Sequence, residues 1–225
     1  MTKPSPSQRG QRSLATLKEK LRGGALAAGP RMVKRAAARQ GKPMPISFYE
    51  LSVPTFLQTV RAVGGFLGRA AHHCAETGAN PDDFVEARLF GDMAPFHFQV
   101  EAAWHHAVWG LEAVRTGMFS PPALVGPVPF AELQGMMGKA EAALAALEPE
   151  EVNGWAGRAL DLEIGPRRLA FTSETLILSF SLPNFHFHAV TAYAILRSRG
   201  VPLGKRDYEG ALRTGHAVAS TQGPA

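Results

Sequence analysis

Eight histidines are the chain's main chemical resource. Imidazole is the side chain that works as base, acid or metal ligand near neutral pH. Three groupings stand out. Asp92, Gln99 and His106 follow one another at seven-residue steps. On a helix that is two turns per step, with a drift of only about 20° each time. The row runs beside the apolar stripe of Phe96, Ala103 and Ala107, so Gln99 and His106 are expected to turn inward, where a polar group must find a partner. Asp92 suits a helix cap.

The second grouping is Pro183-Asn184-Phe185-His186-Phe187-His188. Asn184 and His188 lie one helical turn apart and share a face with Thr191 and Ile195. His188 sits in the most apolar part of its segment. Burial there lowers an imidazole pKa, leaving a neutral ring able to accept a proton or bind a metal. A buried histidine that simply satisfies a facing side chain is the plainer alternative. His186 faces elsewhere on a regular helix. The third grouping, His72-His73-Cys74 with His105-His106, carries no nucleophile signature. Cys74 has no adjacent cation in sequence to lower its pKa, and histidines near a helix C-terminus are explained by the dipole.

The candidate set is therefore His188 as catalytic base, with Gln99, Asn184, His106 and Tyr193 as substrate-binding residues. His188 and His97 are the candidate metal ligands, and weak ones. The His-Glu-x-x-His and Gly-x-Ser-x-Gly signatures are missing. Gly200 to Lys205 has a superficial likeness to a phosphate loop, but it is one residue short, lacks the hydroxyl residue and follows a helix.

These residues need helices to hold them. Ser47 and Glu50 form a capping box that opens a helix from about Phe48 to Thr77, with Pro54 in its early part. The spacing predicts a second helix from about Met93 to Thr116, capped by Asp92, and a third from about Phe130 to Leu147. Ala159 to Ile164 and Leu169 to Thr172 read as a hairpin around residues 165–168. The last helix ends near Arg199, before Gly200 and Pro202. Its start is open between Ser173 and Ser181. The fold class is all-α: a four-helix bundle with a small β-hairpin between helices three and four, over residues 45–212.

Charge divides the 225 residues unevenly. Residues 1–44 carry eleven Lys/Arg and one acidic residue, Glu19, whereas residues 45–225 carry thirteen Lys/Arg and eighteen Asp/Glu. The pI of 9.7 therefore belongs to the N-terminal segment. That segment is too poor in large apolar groups to offset its ordering entropy, and short helices over Ser13–Leu21 and Met32–Ala38 are the most it would form. It reads as a disordered basic extension. Binding of nucleic acid or anionic lipid, organelle targeting, or an upstream start before Met44 are the alternatives. Residues 213–225 read as a flexible tail.

One cysteine allows no internal disulfide and no Cys-based zinc ribbon. No apolar run is long enough to span a bilayer, and no secretory signal is evident. A cytoplasmic protein is expected, with a small molecule and a second copy of the chain as its partners.

Three segments in order, ISFYELSVPTFL at 46–57, ARLFGDMAPFHFQV at 87–100 and LPNFHFHAVTAYAILRSRGVPLGKRD at 182–207, resemble the bacterial family called domain of unknown function 1993. That family belongs to the DinB/YfiT-like metalloenzyme superfamily. The resemblance covers about residues 46–210. It implies a DinB-like four-helix bundle, and in the superfamily's enzymes a nickel or zinc ion held by three histidines, one from the second helix and two from the last. Here the matching positions are Gln99, Asn184 and His188, and the residue four beyond His188 is Ala192. Neutral amides hold such metals poorly.

Overall fold

The structure, a computed structural model, describes residues 46–164 and 166–214. The basic segment and the readings made for it lie outside the described residues, as do residues 215–225. Of the expected C-terminal tail, Arg213 and Thr214 are described, and the Arg213 guanidinium donates to Thr55 Oγ1 at 3.1 Å.

Helix α1 spans Phe48–Thr77, as its capping pattern predicts: Ser47 Oγ accepts the Glu50 N–H at 3.1 Å. Gly78 ends it in a left-handed conformation (φ 71°), which glycine adopts without steric cost. A 3-10 turn over Pro81–Phe84 follows.

Helix α2 differs from its expected form in two ways. It begins at Phe96, not Met93, and Asp92 lies exposed in a turn, not at the cap. Pro95 is the cause. A residue before proline is pushed out of the helical region, so Ala94 stays outside and its carbonyl is free for another donor. The helix also changes pitch. It is α over Phe96–Trp104, π over His105–Trp109 and α again over Gly110–Thr116.

Helix α3 spans Phe130–Ala145, and its first N–H is capped from the 3-10 turn by Asp82 Oδ1 at 2.8 Å. A one-turn helix α4 spans Pro149–Asn153. Strands β1 (Ala159–Ile164) and β2 (Arg167–Thr172) pair antiparallel with Leu160 opposite Phe171 and Leu162 opposite Leu169. Leu160 and Leu162 turn into the core, as the two-residue period of a strand requires.

Helix α5 settles the open choice of start. It begins at Ser173, capped by Thr172, whose hydroxyl and that of Thr175 satisfy each other's backbone N–H. It runs α over Ser173–Leu176, π over Ile177–Ser181 and α over Leu182–Ser198. Pro183 does not end it. A proline ring crowds the carbonyl four residues back, and the π turn just ahead loosens that stretch of the helix. A short α6, Lys205–Glu209, packs on α1.

The protein is thus mostly helical with one small hairpin. Helix α2 packs on α3 and α5, and α1 packs on the same two. The core holds two clusters. One joins Phe66, Phe96, Phe130 and Ile195; the other joins Phe56, Leu111, Leu144, Leu176 and Phe185. The rings of Phe96 and Phe130 stack at 5.8 Å, and those of Phe56 and Phe185 meet edge to face at 5.1 Å. No helix among the described residues is long and apolar enough to cross a membrane.

Gly110, the first residue after the π turn of α2, meets Ser181 in the π turn of α5. A Cβ on Gly110 would sit 2.6 Å from Ser181 Oγ and 3.0 Å from Ser181 Cβ. Ser181 Oγ is itself buried without a hydrogen-bond partner. Gly110→Ala should therefore lower unfolding free energy by about 1–3 kcal/mol through overpacking. Ser181→Ala alone should be near neutral, because it deletes an unsatisfied hydroxyl. The double variant should recover part of the loss, as read by urea denaturation of all four proteins.

Candidate functional site

Three of the expected site residues come together between α2 and α5. His188 Nδ1 and Gln99 Oε1 are 2.8 Å apart. Gln99 Nε2 donates to the Ala94 carbonyl at 3.0 Å. This chain of contacts assigns the protons. A carbonyl only accepts, so the Gln99 atom facing Ala94 is nitrogen and the one facing His188 is oxygen. That oxygen requires an Nδ1–H on His188. The ring's Nε2 then carries a lone pair, and it has no partner among the described residues. The late start of α2 forced by Pro95 is thus what orients Gln99, and through it His188.

His106 lies alongside. Its ring is 5.9 Å from that of His188 and nearly parallel to it, at 11°. Phenylalanines frame the pair. Phe119 stacks on His106, Phe180 meets it edge on, and Phe98 and Phe187 meet His188 edge on. Burial in this apolar frame pushes the pKa of His188 down to about 4. His106 is also pushed down to about 4, first by burial and then by its neighbours His188 and His105. Both rings are neutral at neutral pH.

The other expected site residues are placed elsewhere. Asn184 donates its amide to the Phe180 carbonyl at 2.8 Å, within its own helix. Tyr193 packs edge to face against Phe66 and Tyr208, in a cluster where the Tyr208 hydroxyl reaches His186 Nδ1 at 3.2 Å. His97 is two residues from Gln99 and so lies on the opposite side of α2. Its Nε2 faces Glu86 at 3.6 Å and its Nδ1 is buried without a partner. Cys74 is buried, and burial, then Asp83, pushes its thiol pKa up, the reverse of what a nucleophile needs.

The donor set does not fit the three-histidine metal site that the resemblance implies. Both ends of the Gln99 amide are engaged, and the Asn184 amide nitrogen is bound to backbone. Two imidazoles remain, and their nearly parallel planes hold in-plane lone pairs that do not converge on one ion. Among the described residues, no group of three or more His, Cys, Asp or Glu is placed to hold a metal ion.

Sequence reasoning missed the aromatic frame, the Ala94 carbonyl and a buried carboxylate, Glu101. The repeated Phe-His-Phe of residues 96–98 and 185–187 was a usable signal for Phe98 and Phe187. Nothing local marks Phe119, which comes from the loop after α2. Glu101 is 1 % exposed, and neither oxygen makes a hydrogen bond. Burial pushes its carboxyl pKa up, while the nearby N–H groups of Val125 and Gly126 pull it part of the way back.

The family model described as "Domain of unknown function (DUF1993)" matches residues 48–209. No curated protein matches the chain. Among solved structures, the crystal structure of a DinB family member protein from Shewanella denitrificans is similar, with a TM-score of 0.63 and 23% identity, over 75% of this chain and 94% of that one.

The depressed imidazole pKa values have a measurable consequence. Each ring binds a proton more readily unfolded, near pH 6.5, than folded, near 4. Stability from these rings is therefore full above about pH 6.5 and is lost as pH falls through that window, by about 2–3 kcal/mol per ring after allowing for residual exposure. Glu101 titrates with the opposite sign, so the comparison that isolates the imidazole is between variants. His106→Phe should flatten the fall in stability between pH 7 and pH 4.5 measured by chemical denaturation.

Proposed function

The chain belongs to the DUF1993 family, and from that premise we propose that it is a DinB-like four-helix bundle that binds a small molecule at the His106–His188 pair. In this reading His188 Nε2 accepts a hydrogen bond or a proton from the ligand. Gln99 holds the ring in the one tautomer that leaves that nitrogen free. The single observation that supports it most is the Ala94–Gln99–His188 chain. Three groups fix the protons of an imidazole whose other nitrogen has no partner among the described residues. A ring held only for packing would need no such orientation.

His106 complements it. Its Nδ1 is buried without a partner. Burying a lone pair costs less than burying an unpaired N–H, so the proton belongs on Nε2. One ring then offers a base and its neighbour a donor, the pairing that general acid–base chemistry uses. The ligand's body would lie against Phe98, Phe119, Phe180 and Phe187. Nickel or zinc is not needed for this chemistry, and no step is assigned to one. The protein would act in the cytoplasm, where its single buried thiol stays reduced.

A second reading has its own observation. Phe187 is 55% exposed and Val190 is 43% exposed, and together with Pro183 they form an apolar stripe along the outer face of α5. Such a stripe suits self-association, with the histidines as a structural network. Sedimentation of the protein and of Phe187→Glu with Val190→Glu tests it.

The primary reading is tested by nitrogen-15 NMR of the imidazoles. His188 should show the tautomer protonated at Nδ1. A fragment library should give hits that move the His106 and His188 ring signals and are lost in His188→Gln. His188→Ala should also cost about 1–3 kcal/mol of stability, because Gln99 Oε1 loses its partner. Fragment hits confined to other surfaces, or an Nε2-protonated His188, would count against the assignment.

A further inference from the structure

Residues 117–129 leave α2 and run back along it as a strap. Phe119 covers His106, Val125 and Gly126 pass over Glu101, and Phe130 then stacks on Phe96. The strap is anchored at its ends. Met118 bridges Asp161 of β1, and Phe130 N–H is held by Asp82. Between them, Ser120 to Val128 makes no backbone–backbone hydrogen bond among the described residues, and its Val125 and Gly126 N–H groups face the Glu101 carboxylate. Gly117 and Gly126 both adopt positive φ (82° and 83°), giving the segment turning points that other residues disfavour.

What lies beneath the strap does not favour its staying shut. Of the described buried side-chain atoms without a hydrogen-bond partner, all but Ser181 Oγ belong to α2: His97 Nδ1, both Glu101 oxygens, His105 Nε2, His106 Nδ1 and Trp109 Nε1. Glu101, His105 and Trp109 follow at four-residue steps, and the π turn offsets the drift such a stripe has on a regular α-helix. A buried polar group with no partner costs free energy that water would restore. Beside the strap is space to receive a moved ring. A cavity of about 290 Å³ is lined by Met118, Phe119, Ser120, Asp161, Glu163 and Arg168. Phe119 thus touches His106 and also walls this cavity.

We propose that Phe119 is a gate between this cavity and the His106–His188 pair, carried on a strap that opens when water reaches Glu101. The opened cavity is then the outer chamber of the site. Its lining holds two carboxylates and one guanidinium, with Arg168 already bound to Asp161 at 2.6 Å. Both imidazoles beyond it are neutral. The chamber therefore admits an uncharged or cationic guest in preference to an anion. Glu101 is a positioning residue, since it touches the strap and not the imidazoles. The gate serves the proposed function only if that pair is the working site, but access to the rings can be read whether or not they bind anything.

The test is the rate of modification of each imidazole by diethyl pyrocarbonate, an uncharged acylating reagent, read by peptide mass spectrometry. Exposed His72 is the internal standard. Phe119→Ala should raise the rates at His106 and His188 relative to His72 by about fivefold or more. Glu101→Met removes the penalty of closure. It should slow both rates several-fold and reduce hydrogen exchange of residues 118–128. Phe119→Leu replaces Phe119→Ala if that variant does not melt cooperatively. Unchanged rates in the Phe119 and Glu101 variants would overturn the gate. A rise in Phe119→Ala with no slowing in Glu101→Met would overturn the moving strap and leave Phe119 a fixed cover.

Discussion

Two helices that each loosen into a π turn meet where one of them has a glycine, and the architecture of the site follows from that contact. Gly110 lets Ser181 approach so closely that no side chain fits between them. The approach brings His106, inside one π turn, against Phe180, inside the other. About two turns further along α5, His188 reaches across to Gln99. A regular α-helix in either position would rotate one of these residues away from its partner. Each π turn breaks the usual hydrogen-bond ladder; that of α2 holds His105 and His106, and that of α5 ends five residues before His186.

A second dependence is on backbone, not side chains. Pro95 excludes Ala94 from α2, Ala94 keeps a free carbonyl, and that carbonyl decides which end of the Gln99 amide faces His188. A proline that makes no contact with the imidazole thereby selects its tautomer. The arrangement resembles the way second-layer groups tune metal-bound histidines, but here the oriented nitrogen faces an aromatic frame. The same frame keeps both rings neutral, so their chemistry is that of lone pairs and N–H groups instead of charges.

The elements themselves were legible. Helix α1 follows its capping residues and its three- and four-residue apolar steps, and the family match over 48–209 takes in the motifs at 87–100 and 182–207 and all but the first two residues of that at 46–57. Strand β1 follows its alternation. The start of α2 was misplaced because Asp92 has the chemistry of a cap, while Pro95 has the stronger steric veto. The start of α5 was undecided because Pro183 reads locally as a kink within a longer helix or as a first-turn residue, and the helix from Ser173 runs through it with a π turn just ahead.

By itself the sequence determined the helical class, the hairpin, the seven-residue row of Gln99 and His106, and the apolar setting that neutralises His188. These are properties of spacing and composition along one element, and short-range physics suffices for them. The tertiary structure decided which of those residues meet. Asn184, in register with His188, turns its amide to its own backbone, and Tyr193 joins His186 and Tyr208 instead. Phe119 enters from a loop, and Glu101 is buried only because that loop returns along its helix. A partner across helices is chosen by packing distance, and packing distance here depends on a glycine and two π turns that no periodicity announces.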